Sequence, residues 1–168
     1  AMKITLLESL GIPTQVLTQY RAAIEAQGHT MTIYHERTTD PDELLRRTGD
    51  SDVVILGNTP YPAQVVSAAP RLKLVNVAFT GIDHIALDAC REKGVMVCNA
   101  AGYSTQCVAE LALGLTVACL RNLPACEAAV RSGGVGGPLR GREIAGRTVG
   151  IVGTGAIGTR TAQLFLAF

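Results

Sequence analysis

The chain has 168 residues and a formal net charge of +1 at pH 7. A balance so close to neutral leaves no electrostatic case for a nucleic-acid partner or an anionic membrane surface. With 48% hydrophobic and 17% charged residues the composition excludes disorder and suits an α/β protein with a buried sheet.

Ala1 ahead of Met2 is read as a cloning remnant, and no signal peptide is expected, because Met2 leads straight into a strand-like run. The longest apolar run, residues 111–120, is too short to span a bilayer and follows Glu110, so no membrane association and a cytoplasmic location are expected. Cys90, Cys98, Cys107, Cys119 and Cys126 are odd in number and form no Cys-x-x-Cys pair. That pattern argues against a disulfide framework or a metal site, and for buried thiols in a reducing cytosol.

Strand and helix signals alternate from the start. Residues 3–7 read as a strand, and 14–27 as a helix with Val16, Leu17, Tyr20 and Ile24 on one face and Gly28 closing it. Residues 29–34 alternate as an edge strand does. Asp40 is placed to cap a short helix with Pro41 at its first position. Residues 52–56 are apolar on both faces and belong at the centre of a sheet. A short helix over 62–69, a strand over 72–77, a helix over 83–93 capped by Asp83 and closed by Gly94, and a strand over 95–98 complete the series.

Strands and helices alternating at this pace imply a parallel sheet with right-handed crossovers. By analogy the fold is α/β and flavodoxin-like, with strand order 2-1-3-4-5. Ligands of such sheets bind beyond the carboxyl ends of the strands, which are residues 8–11, 57–60, 78–81 and 99–102 here.

Past Asn99 the texture changes. Ser104 or Thr105 caps a helix over 106–121 that is apolar nearly all round apart from Glu110, so it is expected to be buried between two bodies. Asn122, Leu123 and Pro124 end or kink it, 125–131 add a few turns, and the glycine-rich stretch 132–141 is a flexible connector. Residues 148–152 read as a β-branched strand, followed by Gly153, Gly155 and Gly158 in Gly-x-Gly-x-x-Gly spacing and then an apolar helix. In that pattern Gly153 permits a tight turn, Gly155 lets backbone approach a pyrophosphate, and Gly158 lets helix pack closely on strand. The helix N-terminus holds the phosphate charge.

Three stretches together carry a resemblance. They are 76–85 (Asn-Val-Ala-Phe-Thr-Gly-Ile-Asp-His-Ile), 94–99 with 108–111 and 120–122, and 146–158. In this order and spacing the chain resembles the NAD-dependent D-isomer-specific 2-hydroxyacid dehydrogenases, over its whole length but over only the first half of a member. The resemblance implies a substrate domain at 2–101, an inter-domain helical segment at 102–131, a connector at 132–147 and the first β-α unit of a Rossmann domain at 148–168. It implies hydride transfer between NAD (or NADP) and a small 2-hydroxy or 2-oxo acid, in a homodimer. Backbone amides of Ala78, Phe79, Thr80 and Gly81 are then expected to take the substrate carboxylate, with Asn99 beside it. Thr105 is assigned to the nicotinamide carboxamide, and Gly153, Gly155, Ala156, Ile157 and Gly158 to the pyrophosphate. The family's catalytic Arg, Glu and His map beyond residue 168, so no catalytic residue is assigned here and the 168-residue chain alone is expected to be inactive.

Bland readings stand beside these. Asp83 and His84 are adjacent at a helix start, so their side chains diverge; Asp83 is expected as an N-cap and His84 without a catalytic role. His29 and His35 flank an edge strand and are read as solvated, and Glu110 as a paired inter-domain carboxylate. Asn99 at a strand end also suits a simple turn, but the resemblance favours a place in the cleft. Other functions on this sheet fit poorly. A phosphoacceptor receiver needs an acid where Gly57 and Asn58 stand and a lysine where Asn99 stands. A flavodoxin needs a hydroxyl- and glycine-rich loop where residues 8–13 stand. A non-enzymatic regulator on the dehydrogenase fold, co-repressor-like, remains the alternative.

Overall fold

The computed structural model describes residues 1–135 and 139–168. They divide into two compact units, residues 1–101 and 102–168. The first holds five parallel strands, β1 (Lys3–Leu6), β2 (Thr30–Ile33), β3 (Val53–Leu56), β4 (Leu74–Val77) and β5 (Met96–Asn99). Their order is β2-β1-β3-β4-β5, with α1 (Thr14–Ala26), α2 (Pro41–Thr48), α3 (Ala63–Ala68) and α4 (Leu87–Lys93) as the crossovers. Each strand has four residues; β1 to β4 are shorter than their sequence spans, and β5 is shifted one residue onward from 95–98. Beyond the shared ladder, single bonds such as Leu7 N–H to the Ile55 carbonyl at 2.9 Å carry the pairing on along one side only.

Side-chain alternation along the strands builds two cores. Val54, Leu56, Val75 and Val77 are fully buried in one cluster with Leu44 of α2, Val65 and Val66 of α3, and Ala89 and Cys90 of α4. Leu6 and Met31 form the other with Leu17 of α1, joined by Ile4, Ile24, Ile33 and Ile55. Helix α3 is too short to stand alone. Its two valines, at about 2 kcal/mol each on burial, hold it to the sheet.

The local signals account for the ends of several helices. Asp40 Oδ1 accepts from the Asp42 N–H at 3.2 Å with Pro41 at the first helical position, and Gly94 closes α4 at φ 72°. At the amino end of the sheet the fully buried Asp52 accepts from the Lys3 N–H at 3.0 Å. Lys73 Nζ at 3.1 Å and Arg71 Nη2 at 3.2 Å also reach it. These donors, the Lys3 amide foremost, hold the Asp52 carboxyl well below the usual carboxylate range.

Other expectations are corrected. Asp83 does not cap α4, which begins at Leu87 with Ala86 as N-cap. The Tyr61 N–H binds the His84 carbonyl at 2.9 Å and the Ala86 N–H binds the Tyr61 carbonyl at 3.1 Å. This Tyr61–Ile85 bridge holds 84–86 to a distant segment and delays the helix. His29 is half-buried rather than solvated, its Nδ1 accepting from the Met2 N–H.

The second unit contains α5 (Thr105–Leu120), α6 (Leu123–Arg131) and α7 (Ala156–Phe165). Residues 148–152 form no strand, since nothing among the described residues offers them a ladder. Three residues of the expected connector, 136–138, lie outside the described residues. At 139–142 the chain runs along the end of α5, with the Arg142 N–H bonded to the Leu120 carbonyl at 2.8 Å. Helix α5 is not enclosed: Leu111 and Leu115 are exposed, as is Glu110, which accepts from Gln106 of the preceding turn. Only Cys90 of the five free thiols is buried. No single described helix is long and apolar enough to cross a membrane.

Candidate functional site

In the first unit the carboxyl ends of β1, β3, β4 and β5 converge. The residue that organises them is Glu8, one past Leu7, buried to 5% exposure. Its Oε1 accepts from the N–H groups of Gly57 and Thr59, both at 2.8 Å, which pins the loop after β3 to the end of β1. Arg37, beyond β2, stands with Nε 3.9 Å from Glu8 Oε2 and donates from Nη2 to the Asn58 carbonyl at 2.9 Å. Arg47 of α2 lies 4.7 Å over the Tyr34 ring and donates to the carbonyls of Leu7 and Glu36 and to Glu43. Arg46 and Arg47 together hold the Glu43 carboxyl down at about 2.

The loop after β4 is built on that platform. The Ala78 N–H is already spent on the Leu56 carbonyl at 2.8 Å, continuing the ladder, so it is withdrawn from the expected carboxylate grip. Among the described residues the N–H groups of Phe79 and Gly81 carry no hydrogen bond. The Phe79 carbonyl accepts from the Ala100 N–H at 3.0 Å, and Asn99 Nδ2 donates to the Thr80 carbonyl at 2.7 Å. Asn99 thus ties the end of β5 to this loop, leaving its Oδ1 without a partner among the described residues. Gly57 lies under the Phe79 ring: a Cβ there would stand 2.6 Å from Phe79 Cε2 and 3.4 Å from Glu8 Oε1. Thr59 Oγ1 and His84 Nε2 are buried without a partner among the described residues.

The sequence pointed to these strand ends, residues 8–11 and 57–60 among them, and assigned roles to 78–81 and 99; it missed the pairing of Glu8 with Gly57 and Thr59, and Arg37 altogether. One signal was available for Glu8: a lone acid directly behind an apolar strand, at the end where ligands bind.

In the second unit the glycine-rich stretch has the geometry its spacing asks for, without the strand. Gly153 sits at φ 94°. Gly155 is the N-cap of α7, and a Cβ on it would meet only open space. At Gly158 a Cβ would stand 1.9 Å from the Gly153 carbonyl oxygen, so no side chain fits. Ala156 and Ile157 open α7, where the first N–H groups have no intrahelical acceptor; the Thr159 N–H to Gly155 carbonyl bond, at 2.9 Å, closes the first turn. This open, amide-rich turn fits a dinucleotide pyrophosphate. Thr105 is the first residue of α5, next to Gln106, whose Oε1 accepts from Arg160 of α7 at 2.7 Å. No group of ligating side chains among the described residues could hold a metal ion.

The family described as D-isomer specific 2-hydroxyacid dehydrogenase, catalytic domain, matches residues 11–166. The D-3-phosphoglycerate dehydrogenase of Mycobacterium bovis is 36% identical over 149 residues, 88% of this chain and 28% of that protein. The hydroxypyruvate reductase of Thermotoga maritima is 35% identical over 131 residues, 77% of this chain and 43% of its own length. The crystal structure of NAD-dependent formate dehydrogenase from Staphylococcus aureus in complex with NAD superposes with a TM-score of 0.84 at 26% identity. That match covers 97% of this chain and 53% of that one. The chain therefore spans about half or less of the proteins it matches.

Proposed function

Because the chain belongs to the D-isomer specific 2-hydroxyacid dehydrogenase family, we propose that the protein carrying it is an oxidoreductase that reduces small 2-oxo acids, or oxidises the matching 2-hydroxy acids. The observation that carries the reading beyond family membership is the pair of unspent amides, Phe79 and Gly81, at the carboxyl end of β4. Two N–H donors on a short loop suit a carboxylate, and charge-assisted bonds of this kind are the stronger ones. Asn99 holds that loop through the Thr80 carbonyl and keeps a free side-chain oxygen for the substrate.

NAD or NADP is the coenzyme this reading requires. When bound, it supplies the hydride that goes to or from the substrate's C2. Gly153, Gly155, Ala156, Ile157 and Gly158 would hold the pyrophosphate, the helix end offering amides and the glycines leaving room. Thr105 is assigned to the nicotinamide end. The resemblance puts the cation that orients the carboxylate and the Glu–His pair that handles the hydroxyl proton beyond residue 168. A cytoplasmic homodimer fits the reading, the apolar residues exposed on α5 supporting a second copy.

The test is loss of NADH or NADPH absorbance by the full-length protein with glyoxylate, pyruvate and hydroxypyruvate. Turnover of at least one is expected, with loss of coenzyme binding in Gly158→Ala, whose new methyl has no space. Absence of turnover with every acid and both coenzymes defeats the proposal.

A further inference from the structure

The unspent amides sit beside a ring that no general description of the fold requires. Phe79 follows Ala78 at the end of β4, so the residue offering one of the two free N–H groups also carries an aromatic ring. The ring cannot sink further toward the sheet. Gly57 backbone lies directly beneath, close enough that even a methyl there would collide with it. Glu8, locked by two amide bonds, stands on the same side of Gly57.

Of the two arginines at this end, Arg47 is spent on Leu7, Glu36 and Glu43. Arg37, 54% exposed, holds the Asn58 carbonyl and stands 3.9 Å from Glu8, with donors to spare. Lys3, Arg71 and Lys73 gather at the opposite end of the sheet around Asp50 and Asp52.

We propose that Phe79, seated on Gly57, sets the size limit for the substrate tail. The site then admits 2-oxo acids whose carbonyl carbon bears hydrogen or one short carbon, and turns away branched ones. This rests on the dehydrogenase reading above and selects among its substrates.

The experiment compares kcat/KM of the full-length protein for glyoxylate, hydroxypyruvate and a branched 2-oxo acid such as 2-oxoisocaproate. The small acids are expected to lead by roughly tenfold or more, the scale on which an apolar pocket resolves single carbons. Phe79→Ala is expected to narrow the gap between glyoxylate and the branched acid by about tenfold. Phe79→Leu, which keeps the site filled and protects against a folding failure, should narrow it less. Equal handling of the branched acid and glyoxylate by the parent overturns the proposal while leaving the dehydrogenase reading intact. So does an unchanged ratio in both variants. No turnover of any acid overturns the dehydrogenase reading and this proposal with it.

Discussion

Glu8 allows a sharp separation between hydrogen bonding and charge. Truncation in Glu8→Ala strands two amide donors, Gly57 N–H and Thr59 N–H, on residues that are themselves buried. A buried donor left without a partner costs about 1–3 kcal/mol, so two cost about 2–6 kcal/mol if the loop cannot relax. Asn58 between them is exposed, which lets water reach part of the loop and favours the lower half of that range. Glu8→Gln keeps an oxygen acceptor in place and loses only the charge. The charge faces Arg37 at 3.9 Å, and that side chain is 54% exposed, a geometry worth about 0–1 kcal/mol. The expected order is therefore a large loss for Glu8→Ala and small, similar losses for Glu8→Gln and Arg37→Met. Urea unfolding followed by circular dichroism reads this as a shift in midpoint at constant slope. If Glu8→Gln costs as much as Glu8→Ala, the carboxylate acts through its charge, and the two-amide account is refuted.

Three further outcomes are expected. The folded pKa of Asp52 is depressed, so its contribution is complete above the unfolded value of about 3.9 and is lost as pH falls through and below it. Acid titration of stability should accordingly be steeper for the parent than for Asp52→Asn. Tyr61 behaves oppositely: burial pushes its phenol up to about 12. Its contribution is full below the unfolded value of about 10 and lost between there and about pH 12. Tyr61→Phe should lack that alkaline loss yet cost about 1–2 kcal/mol at neutral pH, since the buried Thr48 hydroxyl loses its partner at 2.9 Å. Lys93 Nζ donates to the carbonyls of Val66, Ser67 and Ala69 at the end of α3. Lys93→Met should cost about 2 kcal/mol and release the α3 amides to faster hydrogen exchange.

The sheet and its order were legible because apolar strands and helix caps are local signals. Asp40 with Pro41 and Gly94 behave as their own neighbourhoods dictate. What escaped the sequence is long-range. Glu8 meets its amide donors across 49 and 51 residues, and no local pattern announces such a pairing. Asp83 looked like a cap, yet the bridge from Tyr61 decides where α4 begins. The same cause removes Ala78 from the expected anion grip, because its N–H follows the partner strand rather than its own loop. For residues 148–152 the β-branched pattern was present and the ladder was not. The glycines kept their geometry regardless, since a positive φ at Gly153 and a shut space at Gly158 need only a few neighbouring residues.

The contact between Gly57 and Phe79 also constrains how this chain can change over generations. While the ring lies where it does, a Cβ at 57 would stand 2.6 Å from it, so a substitution of that glycine obliges the Phe79 ring to move. Shrinking Phe79 first opens position 57, and a larger residue there then closes the way back to phenylalanine. The two positions form a ratchet in which the order of mutation matters as much as their identity, and their effects cannot add.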